Sequence, residues 1–284
     1  VLYGLGYIVS YFALKLEILN NFQKKNHIQF APITYFIIFA ASNLRTILTY
    51  IDINLKSPRQ LSFYLATEEF VARKMTQKGD KFFMWQVEPT VIFGRNQVVE
   101  NEVNLEYCRQ HNIKTFRRKS GGGCVYADMS NVMLSYITDD EDIERTFCRY
   151  LLMICETLQS IGLKDVHPSG NNDIMIGERK VSGNAVYHMP GKTIAHGTLL
   201  YDTDMEHMLH AITPSKQKLS KHGVESVRQR VCLLKDYTTL PFSEIRRLIR
   251  EHLCDETIVL NSNDIREIEV IELEYLKPKF IYGK

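Results

Sequence analysis

The sequence predicts a mixed α/β fold from about residue 50 onward, and three observations predict it. Short runs rich in aromatic and β-branched residues alternate with longer segments whose apolar residues recur at helical spacing. No repeat, Gly/Ser linker or low-complexity tract interrupts that alternation. The chain has 284 residues, 45% of them hydrophobic and 24% charged, the composition of a globular protein with one large domain or two modest ones.

Each element follows in order. Residues 58–78 place Leu61, Leu65, Phe70 and Val71 near helical spacing and read as an opening helix. FFMWQVEPTVIFG then gives two short strands broken at Glu88-Pro89. Residues 104–112 read as a helix, followed by a strand ending near Phe116. After three glycines, CVYADMSNVMLSYIT resumes period-two alternation, so the glycines are expected in a loop between neighbouring strands. Residues 142–161 form a strongly patterned helix. Residues 173–176 and 180–187 read as a hairpin turning at Gly177, and 193–201 as another strand. Two short helices are expected at 204–212 and 242–252.

The first 49 residues have a different texture, rich in Tyr, Phe and Ile and nearly free of acids. Within them IQFAPITYFIIFAASNL, residues 28–44, carries no charge, yet it contains Pro32, Gln29 and Asn43 and falls short of the roughly twenty apolar residues of a spanning helix. No ordered basic, apolar and cleavage regions mark a signal peptide. This segment is expected to be an apolar extension preceding the body at 50–284.

Formal net charge is +2. Lys15, Lys24, Lys25 and Arg45 against Glu17 supply +3 of it, which leaves about −1 for the remainder and argues against a nucleic-acid binder. The six cysteines form no CxxC pair and no disulfide rhythm, the usage of a chain kept reduced in the cytoplasm.

Two stretches carry chemistry. In RRKSGGGCVYAD, residues 117–128, consecutive glycines let backbone N–H groups approach a ligand and turn toward an anion, while arginines beside them favour phosphate or carboxylate. GxxxxGK[ST] is absent and the glycines precede a strand, so this is not a P-loop. The competing reading is a flexible hairpin with a solvated charge run. In NNDIMIGERKVSGNA, residues 171–185, Lys180 sits in an expected strand followed by Ser182 and Gly183, so a ligand could lie close to an ammonium suited to phosphate and carbonyl oxygens. His196-Gly197-Thr198 supplies another glycine at which backbone could approach a ligand.

Taken in order, RRKSGGGCVYAD, NNDIMIGERKVSGNA, HGTLLYDTD and GVESVRQRVCLL (residues 223–234) resemble the lipoate-protein ligase A family. The resemblance runs over residues 50–284. It implies a domain related to biotin protein ligases, with a mixed, largely antiparallel sheet flanked by helices around one pocket for lipoate and ATP. It implies activation of lipoate by MgATP to lipoyl-AMP, then transfer to a lysine of a lipoyl domain, of a 2-oxoacid dehydrogenase complex or the glycine-cleavage H protein. Under it Lys180 is the catalytic residue and Asp173 its partner or a magnesium contact, with no metal held by a dedicated protein site. Arg118, Ser120, Gly121, Gly122, Gly123, Val125 and Asn131 would bind substrate and nucleotide. Gly183, Ala185, Gly197 and Thr198 would wall the dithiolane chain and adenylate, and Ser182 would also contact substrate or ATP. Ser130, where the family usually has Gly, and Asn171, where it often has Arg, depart from its pattern.

A transferase of the same fold would use a cysteine shortly before the lysine motif, where this chain has Asp165, Val166 and His167. Cys155 falls on an expected helix and Cys124 reads as a strand residue. A biotin ligase would want a GRGRxxR-type loop. A non-catalytic lipoate- or nucleotide-binding protein would keep the pocket without turnover. Lipoate and octanoate, both C8 acids, suit the same apolar tunnel. His207 and His210 lie at i and i+3 without an evident third ligand, His196 is expected to be structural within a glycine turn, and one of Arg228 and Arg230 could face the pocket. EYLKPKFIYGK, residues 274–284, resembles the family's hand-over to a C-terminal accessory domain, which on this reading is absent or supplied as a separate polypeptide. Transfer from lipoyl-AMP is then expected to exceed activation of free lipoate.

Overall fold

A computed structural model describes residues 48–169, 171–212 and 230–283. The uncharged segment 28–44, nearly all of the expected extension, Arg228 and most of GVESVRQRVCLL lie outside the described residues. No helix among the described residues is long and apolar enough to cross a membrane.

Eight strands form the main sheet: β1 (Leu48–Asp52), β2 (Asp80–Trp85), β6 (Asn131–Thr138), β7 (Val166–Pro168), β8 (Asp173–Ile176), β9 (Arg179–Met189), β10 (Lys192–Leu200) and β11 (Glu256–Val259). Their order is β11-β1-β2-β6-β10-β9-β8-β7. β1 runs parallel to both β2 and β11, and every other pairing is antiparallel. The sheet is thus mixed and largely antiparallel, as the family resemblance implies. β1 begins at Leu48, two residues inside the segment expected to be extension.

A second sheet has the order β4-β3-β5, from β3 (Thr90–Phe93), β4 (Lys114–Arg117) and β5 (Val125–Ala127). This corrects two expectations. The glycines join β4 to β5, which flank β3 instead of pairing with each other. The alternating run from Cys124 is also two strands: it turns at residues 128–130, where Ser130 N donates to Asp128 Oδ1 at 2.8 Å, and re-enters the other sheet as β6. One period-two pattern spans both because β6, packed on both faces, buries all eight residues and so shows no polar side.

Helices cover both faces of the main sheet. α1 (Leu61–Lys74) and α7 (Ser262–Tyr275) pack on one, with Phe83, Trp85, Met133, Ile137 and Ile194 beneath them. α4 (Ile143–Ser160) and α6 (Phe242–Leu253) pack on the other, over Phe82, Leu134, Tyr136, Ala195 and Leu199. α4 is amphipathic: Asp142 caps it by accepting from Arg145 N at 3.0 Å, and Tyr150, Leu151, Ile154 and Leu158 face inward. Each such apolar side chain contributes about 1.5–3 kcal/mol by leaving water. α7 opens with a capping box between Asn261 and Asp264. α1 behaves differently, because the sheet and α7 enclose it and bury Leu61 through Ala72. The smaller elements are α2 (Val99–Glu102), α3 (Leu105–Gln110), α5 (Met205–Ala211) and α8 (Pro278–Tyr282); of these α3 and α5 pack beside the small sheet, and α8 lies against β4.

Candidate active site

The main sheet presents one row of expected site residues to the α1 side. β9 and β10 pair with Thr198 opposite Gly183 and His196 opposite Ala185, so these four share a face. Lys180 reaches along that face, since a Cβ built on Gly183 would lie 2.8 Å from its Nζ and 2.9 Å from its Cε. Only glycine leaves the ammonium that space. Asp173, the register partner of Gly183, holds the ammonium from the other side in an ion pair of 2.7 Å that is not aligned as a hydrogen bond. The family resemblance implies Asp173 as a partner for Lys180 or for magnesium; here it lies beside the ammonium.

Ser182 and Gly197 lie on the opposite side. Ser182 Oγ donates to Asn184 Oδ1 at 3.2 Å, as does the Tyr150 hydroxyl from α4 at 3.1 Å. A Cβ on Gly197 would meet that amide and, at 2.9 Å, the Tyr150 hydroxyl. Gly197 is therefore small to admit Asn184. Of the residues expected along the acyl chain and adenylate, Gly183, Ala185 and Thr198 share one face and Gly197 lies on the other with Ser182, because strand alternation sends neighbours to opposite faces.

The glycine loop is fastened to the same row by Ser120, whose Oγ lies 2.7 Å from His196 Nε2. His196 stands mid-strand in β10, not within a turn, and its Nδ1 is 3.0 Å from both carboxylate oxygens of Glu68 on α1. Ser135 Oγ donates to Glu68 Oε1 at 2.6 Å and accepts from Trp85 Nε1 at 2.9 Å. With His196 Nδ1 donating to the carboxylate, Nε2 accepts from Ser120, and Ser120 accepts from Arg118 Nε at 3.0 Å. Every hydrogen in the buried chain from Arg118 to Trp85 then has an acceptor. Glu68 escaped the sequence reading, although two adjacent acids in an otherwise apolar helix were a visible signal.

Arg118, expected to touch ligand, spends its guanidinium on the loop itself. Nη1 donates to Ile92 O at 3.1 Å and Nη2 to the carbonyls of Gly121 and Gly123 at 2.6 and 2.8 Å. Burial pushes its pKa down to about 10, so it stays cationic at neutral pH. Gly122 has φ +91°, a region open to glycine and strained for other residues, and a Cβ on Gly94 would run into its carbonyl. A Cβ on Gly121 would meet nothing within 4 Å, so space adjoins the loop at that point.

Asn131 opens β6, fully buried, accepting from the Thr203 hydroxyl while its Nδ2 has no partner. A buried amide donor without an acceptor costs about 1–3 kcal/mol unless a ligand supplies one. Val125 is half-buried on β5. Among the cysteines whose pKa is displaced, burial raises every one: Cys108 and Cys148 to about 11, Cys254 to about 12, and Cys155 and Cys232 also upward. Cys155 is a core residue of α4, on the side of the sheet away from Lys180's face. Such thiols make poor nucleophiles. His207 contacts the Tyr107 hydroxyl at 2.9 Å, and among the described residues no three His, Cys, Asp or Glu side chains gather as a metal site.

The description of the lipoyl protein ligase A/B catalytic domain matches residues 60–254. The chain belongs to that family. It is 34% identical over 228 residues to lipoate–protein ligase 1 of Staphylococcus aureus, covering 78% of this chain and 69% of the relative. It is 31% identical over 221 residues to lipoate-protein ligase LplJ of Bacillus subtilis, with 78% and 64% covered. The fold matches a bipartite lipoate protein ligase from Thermoplasma acidophilum, described with its E2 lipoyl domain, at a TM-score of 0.74 and 25% identity over 84% of this chain and 97% of that one. Family, fold and enzyme class agree: the matched segment is the catalytic domain of a lipoate-protein ligase, an ATP-dependent enzyme.

Proposed function

We propose that this chain activates lipoate with MgATP and transfers the lipoyl group to a lysine of lipoyl domains, within a body beginning near residue 48. The observation that carries the reading is the Lys180 ammonium, held over Gly183 and paired with Asp173 on the sheet face to which Ser120 and His196 fasten the glycine loop. In the first step a lipoate carboxylate oxygen attacks the α-phosphorus of ATP. The bond to the bridging oxygen breaks, and pyrophosphate leaves with its electron pair. Lys180 offers fixed positive charge to the carboxylate and to the phosphate oxygens as charge builds on them. The loop's backbone amides offer neutral donors to the same oxygens, and the unpartnered Nδ2 of Asn131 offers one to the nucleotide. In the second step the acceptor lysine's amine attacks the acyl carbon, AMP departs, and the amine loses a proton. Magnesium enters with ATP, bound to its phosphates.

The acceptors in this reading are lipoyl domains of 2-oxoacid dehydrogenase complexes or the H protein. The compartment is the cytoplasm, consistent with six cysteines of which none is disulfide-bonded. The test is lipoylation of a purified lipoyl domain with lipoate plus MgATP, beside octanoyl carrier protein as donor. Modification from the first and none from the second is expected. Lys180→Ala should lower lipoyl-AMP formation by about 10²-fold, the effect of losing one transition-state electrostatic contact. Wild-type adenylation in that variant refutes the assignment.

A further inference from the structure

Four consecutive residues ahead of the glycines are anchored to four different parts of the molecule. Arg117 donates to the carbonyls of Gly94, Arg95 and Gln97 and, at 2.8 Å, to Ile281 O of α8. Arg118 binds the loop's own carbonyls, and Ser120 reaches β10 through His196. Lys119, absent from the site predicted by sequence, turns to α1. Its ammonium pairs with Glu69 Oε1 and sits 4.7 Å from the centre of the Tyr275 ring of α7. Glu69 is 1% exposed and also receives Arg73 Nη2 at 2.9 Å and the Tyr275 hydroxyl. Two consecutive acids of α1 thus hold two consecutive residues of the loop segment, Glu68 through His196 to Ser120 and Glu69 directly at Lys119.

We propose that Glu69, acting through Lys119, is a positioning residue that fixes the glycine loop against α1 and α7. The inference rests on the reading of that loop as an acyl-adenylate cradle. A cradle of backbone amides works only while it is held within about 0.5 Å of the geometry that bonds the ligand's oxygens. Without Lys119 the segment keeps its ties to β3 and β10 but loses its direct one to α1, the helix beneath that face. Glu69 keeps Arg73 and Tyr275 in that case, so the fold survives the loss.

The experiment uses the full chain with Lys119→Met, which keeps the aliphatic stem and removes the charge, and Lys119→Arg, which restores it. Lys119→Met is expected to raise the KM for lipoate and ATP about tenfold, to weaken calorimetric binding of a non-hydrolysable lipoyl-AMP mimic equally, and to leave kcat and Tm nearly unchanged. Lys119→Arg should recover most of both. Unchanged KM and mimic affinity in Lys119→Met, or an arginine variant as defective as the methionine one, overturns the proposal. If wild type binds the mimic but lipoylates nothing, the ligase reading fails alone, and the mimic affinities of the two variants still decide whether the Glu69–Lys119 pair positions the loop.

Discussion

Gly183→Ala should separate activity from stability in opposite directions. The new methyl would stand 2.8 Å from Lys180 Nζ, and ordinary contact begins at 3.4 Å, so the ammonium must retreat by at least 0.6 Å. Suppose it sits about 3 Å from a phosphate oxygen at an effective dielectric of ~20; its attraction then falls from about 5.5 to about 4.6 kcal/mol. That alone slows adenylation about fivefold, and loss of hydrogen-bond alignment extends the effect toward 10²-fold. The fold should not suffer. The backbone at Gly183 is not in the left-handed region, the displaced atoms are the far end of a flexible side chain, and the Lys180–Asp173 pair is about one-third exposed. Replacing a strand glycine with alanine commonly adds about 0.4–1 kcal/mol by restricting the unfolded chain. Pyrophosphate release and urea melts on the same preparation give both numbers. Adenylation at the wild-type rate, with stability unchanged or raised, would mean that the Nζ position seen here is not the one used in catalysis.

Four further outcomes are expected. Gly122→Val places a β-branched residue at φ +91° with its Cβ 2.9 Å from Arg118 Nη2, and should abolish calorimetric binding of a lipoyl-AMP mimic. Gly121→Ala enters open space and should leave Tm alone, while any loss of mimic affinity reports ligand in that space. Cys124→Ser should retain ligation, and its inactivity would return a cysteine transferase to consideration. Hydrogen bonds from Arg145 hold Asp140 below its ordinary value of 3.8. Its stabilisation is therefore complete above about pH 3.8 and is lost as pH falls through the lower folded-state value. Asp140→Asn should be about 0.5–1 kcal/mol less stable at pH 7, with the gap to wild type closing below pH 3.8 in acid melts; a pH-independent gap refutes the pairing.

The parts legible in the sequence were those specified locally. The β8–β9 hairpin turns at Gly177, with φ +58°, and α4 occupies the patterned segment because its period and its Asp142 cap both lie within a few residues. The glycine-loop and Lys180 motifs were visible because few residue types fit where φ is positive, as at Gly122, or where a neighbouring side chain leaves no room for a Cβ, as at Gly183. Long-range placement was not legible. LTYID and ETIV look like any short apolar runs, and only their pairing makes them β1 and β11. Nothing local says that CVYADMSNVMLSYIT changes sheets at Asp128, or that strand parity turns Gly197 away from the face of Thr198. Glu68 and Glu69 stand out as adjacent acids in a largely apolar helix, yet only the tertiary enclosure of α1 makes them the buried anchors of the loop.

The pairing of β1 with β11 sets a timetable for biosynthesis. β2 can add to β1 soon after both emerge, but β11 lies about 200 residues downstream, which at roughly 5–20 residues per second is some 10–40 s of elongation. During that interval the outer side of Leu48–Asp52 is an open strand edge, and it is still open when the row from Ser120 to Thr198 has left the ribosome. Pauses placed between the codons for β10 and β11 should therefore raise the fraction of nascent chains captured by strand-binding chaperones, and supplying β11 earlier, by circular permutation, should lower it.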